Sequence, residues 1–183
     1  PLDDQRVRLA LSKAIDMQAI LNTFYGGKGV IFSWPVYNCL ELKDVYIPLE
    51  QYPESARDQF VYDPVKAKQL LAEAGYPNGF KTEICCLGVE VDILSIVKEY
   101  WSKIGVDLLL DVKESAALSA IQSKKTYKQM VTSGMADMTN PWKLYTLRMG
   151  EWNYNLDVNP KYNELIDKGF EKYFDWEGRT EIN

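Results

Sequence analysis

The chain contains no histidine among its 183 residues. Histidine is the commonest general base and a frequent metal ligand, so its absence excludes Ser-His-Asp and Cys-His catalysis and any histidine-ligated metal within this chain. Cysteine is also scarce: only Cys39, Cys85 and Cys86 occur, without a Cys-x-x-Cys pair. An odd number of cysteines gives no disulfide framework, and we expect buried free thiols rather than a structural zinc site. We therefore predict no metal and no cofactor.

Positive charge is in deficit, with 21 Lys and Arg against 26 Asp and Glu, a net charge of -5 and a pI of about 4.9. This balance argues against broad electrostatic binding to nucleic acid or to an anionic membrane. No apolar run reaches the roughly 20 residues that span a bilayer. The chain begins at Pro1 rather than Met and shows no signal peptide. We interpret this start as excision from a longer polypeptide.

Helix signals dominate the first part of the sequence. Asp3 can cap a first helix, Asp16 a second, and Asp63-Pro64 opens a third with a cap followed by proline in the first turn. Apolar residues at helical spacing follow each cap. Residues 28–61 between them have the composition of a long loop, and such a loop in a compact domain is often functional.

Strand patterns begin after the third helix. Residues 80–87 and 106–112 alternate in polarity, and a helical pattern lies between them. Strand, helix and strand at this spacing predict a βαβ unit, with parallel strands and a right-handed crossover. Residues 127–133 are predicted to form a third strand. The fold class is α/β, a mixed sheet with a βαβ unit flanked by helices, and we expect residues 1–183 to form a single domain.

Three further helices are predicted towards the end of the chain. One covers residues 115–123, and the others begin at Asn140-Pro141 and Asn159-Pro160 by the same cap-and-proline logic. The last helix is expected to bury one apolar face, formed by Tyr162, Leu165, Ile166 and Phe170.

Four groups of segments, in chain order, carry a resemblance to a known family. They are Asp4-Gln5-Arg6-Val7-Arg8-Leu9-Ala10-Leu11 with Ala14-Ile15-Asp16; Tyr62-Asp63-Pro64 with Glu73-Ala74-Gly75-Tyr76-Pro77; Trp101 with Ile104-Gly105-Val106; and Asn159-Pro160 with Leu165-Ile166-Asp167. Each is weak alone, but the ordered set is specific. It resembles family 5 of the extracellular solute-binding proteins, the oligopeptide, dipeptide and nickel type that serves ABC importers.

The resemblance implies a fold, a function and partners. The family's proteins enclose a ligand between two lobes of a type II periplasmic-binding-protein-like fold, and this chain corresponds to most of the second lobe, without the N-terminal lobe. The implied function is the substrate-binding component of an ABC importer, which captures a peptide or similar small solute and meets the permease subunits. We expect a monomer in the periplasm or outside the cell, tethered to the cytoplasmic membrane. An oligosaccharide or other solute, or a role as a solute sensor, is the alternative.

The candidate ligand-binding residues lie mostly in residues 133–141, which resemble the ligand-facing stretch of the family. Gly134, Met135, Asp137 and Asn140 belong to it, and Asp137 matches the aspartate that pairs with the α-ammonium group of a peptide. A buried carboxylate needs a cation or several donors, which suits this role. Alternatively, Asp137 only caps or bends the loop before the next helix. Met135 replaces the tryptophan of many relatives.

Aromatic residues supply the other candidates. Trp34 and Tyr37 lie in a proline-bearing segment similar to one near the family's cleft, and Trp142 follows the ligand-facing stretch. Each could contact ligand or pack within the lobe. Val131 and Thr132 stand where some oligopeptide binders have a basic residue that holds the ligand's C-terminus. The resemblance therefore leaves recognition of free peptide termini open.

An enzyme is the competing hypothesis. Asp107 and Asp111 share one face of the second strand, turned away from the Val106 face, and Asp137 could join them in a carboxylate-based hydrolase. No nucleophile and base are paired in the sequence, so we expect a binding protein that is not an enzyme.

Overall fold

The computed structural model describes residues 1–31, 38–40, 43–44, 46–133 and 160–171. The chain divides into two units, residues 1–33 with 47–134 and residues 34–46 with 135–183. The expectation of a single domain over residues 1–183 stays a prediction. The helices are α1 (Gln5–Lys13), α2 (Met17–Thr23), α3 (Glu54–Arg57), α4 (Pro64–Glu73), α5 (Val91–Ser102), α6 (Ser115–Lys124) and α7 (Pro160–Glu171), and the strands are β1 (Phe80–Leu87), β2 (Val106–Lys113) and β3 (Met130–Val131). Of these described elements, only α7 lies in the second unit.

The three described strands form one parallel sheet in the order β2-β1-β3. β1 and β2 pair along their whole length, from Phe80 opposite Val106 to Leu87 opposite Lys113. The crossover between them is α5, so the predicted βαβ unit is confirmed. β3 pairs on the other side of β1, and α/β is confirmed as the fold class.

One face of the sheet carries the hydrophobic core of the first unit. Helices α1, α4 and α5 pack there because each presents an apolar stripe at helical spacing. The buried members of this core are Val7, Ala10, Leu11, Ala14, Ala67, Leu70, Leu71, Trp101, Ile104, Val106 and Leu108. Helices α1, α4 and α5 therefore cover one face of the sheet.

The third strand is shorter than residues 127–133, the length predicted from sequence. Only Met130 and Val131 form ladder bridges to β1. At the preceding position the side chain of Gln129 replaces the backbone, because its Oε1 accepts hydrogen bonds from Glu83 N at 2.8 Å and from Thr82 Oγ1 at 3.0 Å. A side-chain acceptor thus satisfies β1 where the predicted strand would have continued.

The first helix begins one residue later than the sequence suggested. Asp4, not Asp3, is the N-cap of α1, and its carboxylate accepts the Arg6 N–H at 2.8 Å. The Arg6 side chain also folds back on this carboxylate, with Nη2 at 2.6 Å from Oδ2. The side-chain hydrogen bond from Arg6 lowers the pKa of Asp4 to about 2, from an ordinary value of 3.8.

This depressed pKa predicts an acid-dependent contribution to stability. A carboxyl group whose pKa is lower in the folded state stabilises the fold above its unfolded pKa, and the contribution is lost as the pH falls from 3.8 towards about 2. Asp4→Asn keeps a capping oxygen but cannot titrate. Urea unfolding at about pH 5 and at about pH 2.5 should therefore show a larger loss of stability for the parent than for Asp4→Asn. Equal losses would contradict the assignment.

The long loop predicted over residues 28–61 is partly helical. Besides α3, it contains the 3₁₀ turns Leu49–Gln51 and Asp58–Phe60. Lys13, 3% exposed, ties this segment to α1, since its Nζ donates to the carbonyl oxygen of Asp58 at 2.6 Å and to Asp58 Oδ1 at 2.8 Å. The buried ammonium group thus has two acceptors, and the turn at Asp58–Phe60 is tied to α1.

The other helix predictions have mixed outcomes. The second and third helices have the predicted caps Asp16 and Asp63, and residues 115–123 fall within α6. The last helix begins at Pro160 as predicted, but Leu165 is 38% exposed rather than buried. The helix expected from Asn140-Pro141 lies outside the described residues.

Candidate ligand-binding edge

The carboxyl ends of the parallel strands form the candidate binding edge of the first unit. β1 ends at Leu87, β2 at Lys113 and β3 at Val131, and all three ends lie on the same side because the strands are parallel. In open α/β sheets, ligands bind beyond the carboxyl ends of the strands. The residues that follow these three ends are therefore the candidates for binding or for supporting a binding segment.

Thr132, the residue after β3, is fixed to three different elements at this edge. Its N–H donates to the Cys85 carbonyl oxygen on β1 at 2.9 Å. Its carbonyl oxygen accepts from Gln122 Nε2 on α6 at 2.6 Å. Its hydroxyl donates to Glu90 Oε2, in the turn after β1, at 2.6 Å. Both backbone polar groups and the side chain of one residue are thus engaged, which orders the chain at this point.

Glu90 is the second fixed residue of the edge. It ends the 3₁₀ turn Gly88–Glu90, and the same Oε2 that meets Thr132 also accepts the Leu87 N–H at 2.7 Å. Both partners are donors and both bonds are short, which suits an ionised carboxylate. Burial, and secondarily the negative charge of Glu90, raise the pKa of the Cys86 thiol.

Cys85 and its charged neighbours lie on the sheet face opposite the core. Cys85 Sγ lies 3.5 Å from Asp111 Oδ2, and Asp111 Oδ1 pairs with Lys113 Nζ at 2.8 Å. Burial, followed by the hydrogen bond to Asp111, raises the pKa of Cys85, whereas the hydrogen bond from Lys113 lowers the pKa of Asp111. A buried thiol with a raised pKa is a poor nucleophile, so this cluster does not favour the hydrolase hypothesis.

The predicted ligand-binding residues all lie outside the described residues. They are Trp34, Tyr37, Gly134, Met135, Asp137, Asn140 and Trp142. What is described is the chain that leads to most of them, up to Thr132 and Ser133. The resemblance predicted that Thr132 stands where some family members have a basic residue; its hydroxyl is bound to Glu90.

Sequence reasoning missed the roles of Glu90 and Gln122. One local signal was present, because Glu90 lies three residues after Leu87, which is the capping-box spacing, and its carboxylate accepts the Leu87 N–H as in that motif. The bond from Thr132 to Glu90 joins positions 42 residues apart, and no local pattern encodes such a pairing.

A second concave surface lies towards the amino ends of the strands. Its volume is about 440 Å³, and it is lined by Lys81, Thr82, Glu83, Lys98, Asp107, Leu109 and Gln129. Ligand pockets are mostly apolar with a few convergent polar groups, whereas this surface is mixed in charge and exposed. As predicted, Asp107 and Asp111 lie on the face opposite Val106.

Membrane spans and metal sites are both absent from the part of the chain that has been described. None of its helices combines the length and apolar character needed to cross a membrane. Among the same residues, no three His, Cys, Asp or Glu side chains form a group that could hold a metal ion.

Comparison with known proteins finds similarity to bacterial solute-binding proteins. A family model described as bacterial extracellular solute-binding proteins, family 5, middle region, matches residues 1–155. Heme-binding protein A of Haemophilus influenzae is 36% identical over 113 residues, which are 58% of this chain and 19% of that protein. The dipeptide-binding protein of Escherichia coli is 32% identical over 114 residues, again 58% and 19% of the two chains.

A solved structure shows the same fold. The periplasmic binding protein DppA from Helicobacter pylori, solved in complex with the peptide STSA, matches with a TM-score of 0.78 and 23% identity. The match covers 97% of this chain and 35% of that one. The chain thus spans about a fifth of each of these two curated relatives and about a third of this solved structure.

Proposed function

Because the chain belongs to the bacterial extracellular solute-binding proteins of family 5, we propose that it forms one lobe of the substrate-binding component of an ABC importer. The component captures a peptide or a similar small solute outside the cytoplasmic membrane. The family and its structural neighbours are binding proteins, and we propose that this chain likewise performs no catalysis.

The observation that carries this proposal is the family match over residues 1–155. One structural feature supports it. The carboxyl edge of the sheet holds Thr132 in place through three elements, and residues 133–141, which resemble the family's ligand-facing stretch, follow directly in the chain. The stretch proposed to bind ligand thus follows in sequence on the carboxyl edge of the sheet, the edge at which open α/β sheets bind ligands.

The proposed ligand is a peptide with a free amino group. Asp137 is proposed to pair with this ammonium group. The rest of the ligand-binding surface of this lobe is proposed to be formed by Gly134, Met135, Asn140, Trp34, Tyr37 and Trp142. The names of the relatives include both heme and dipeptide binding, so a different solute is the second candidate. The proposed partners are the other lobe of the same polypeptide and the permease subunits, with the protein tethered to the outer face of the membrane.

The direct test is calorimetry on the two-lobed, family-length protein with three probes: the dipeptide methionyl-leucine, the tetrapeptide STSA and the sugar maltotriose. We expect binding of at least one peptide and none of the sugar. The 183-residue chain alone should bind neither peptide with sub-micromolar affinity, because closure of two lobes supplies much of the contact. Binding of the sugar but of neither peptide would overturn the peptide proposal, and tight binding by the isolated chain would overturn the single-lobe proposal.

The role of Asp137 predicts a charge-specific loss. Asp137→Asn keeps the shape and removes the charge, and the loss of one partner of a desolvated pair costs about 2–5 kcal/mol. The affinity for methionyl-leucine should therefore fall by roughly thirtyfold or more. N-acetyl-methionyl-leucine, which lacks the ammonium group, provides the control and should lose far less. If both probes lose affinity equally, or if neither does, Asp137 does not recognise the amine.

A further inference from the structure

We draw no further inference here: the strongest candidate, the mixed-charge concave surface beside Lys81, Asp107 and Leu109 towards the amino ends of the strands, carries nothing because no group among the described residues shows which ligand would occupy it.

Discussion

Gly79→Ala should destabilise the first unit by at least about 3 kcal/mol, the combined scale of a left-handed backbone penalty and of overpacking. Gly79 has a φ of +74°, and a Cβ placed there would lie 1.9 Å from the Gly105 carbonyl oxygen and 2.2 Å from its carbonyl carbon. Both atoms belong to the backbone, so no side chain can rotate away. The contact lies where β1 and β2 begin side by side, and relief would require the two strand starts to separate.

Gly75→Ala is the matched control, because Gly75 has a φ of +91° but no atom within 4 Å of the position that an alanine Cβ would occupy. It should cost only the backbone penalty of about 1–2 kcal/mol. Urea unfolding of both variants, followed by circular dichroism, measures the difference. Similar losses for the two would show that the strand starts separate easily and that the close approach is not a constraint.

Trp101→Phe should destabilise the same unit by about 3 kcal/mol, through a lost hydrogen bond and a cavity together. Trp101 is 8% exposed, and its indole Nε1 donates to the Leu11 carbonyl oxygen at 3.0 Å. That carbonyl lies in the last turn of α1, where the Ile15 N–H bonds to Ser12 instead of continuing the helix. Phenylalanine leaves this buried acceptor without the indole partner.

Ile104→Val gives the scale of a small cavity in the same core. Ile104, 4% exposed, packs in the same core and loses only a methylene group, which typically costs about 0.5–1.5 kcal/mol. The excess loss for Trp101→Phe over Ile104→Val in urea unfolding then reports the larger cavity and the uncapped carbonyl together. If the two variants unfold at the same urea concentration, neither the larger cavity nor the indole bond contributes measurably.

The elements predicted best are those whose signals are local. Polarity alternates through β1 and β2, and Asp63-Pro64 marks the start of α4, so pattern and structure agree there. The short length of β3 was not predictable from local sequence. The strand stops short because the Gln129 side chain, instead of the backbone, bonds to Glu83, which is distant in the chain. The contact of Asp58 with the buried Lys13 was likewise not predictable, because the two residues are distant in the chain.

The site was predictable only through resemblance. Asp137 and its neighbours carry no local signature of ligand binding, and they lie outside the described residues, so their roles stay predictions. Glu90 and Gln122 acquire their partner Thr132 only when the sheet assembles, and the spacing of Glu90 from Leu87 was their one local signal. Family motifs report the residues that meet ligand, whereas contacts such as those of Thr132 arise from the assembled fold.

The adjacent thiols of β1 have a practical consequence. Cys85 and Cys86 are 4% and 0% exposed, and consecutive side chains of a strand point to opposite faces of the sheet. A trivalent arsenical, which must bridge two sulfurs on one side, therefore cannot cross-link them while β1 stays paired. Cys39 is half-buried and lies outside β1. A maleimide can reach Cys86 only when the central strand detaches from its neighbours. The rate of maleimide labelling at Cys86 therefore measures how often the sheet opens.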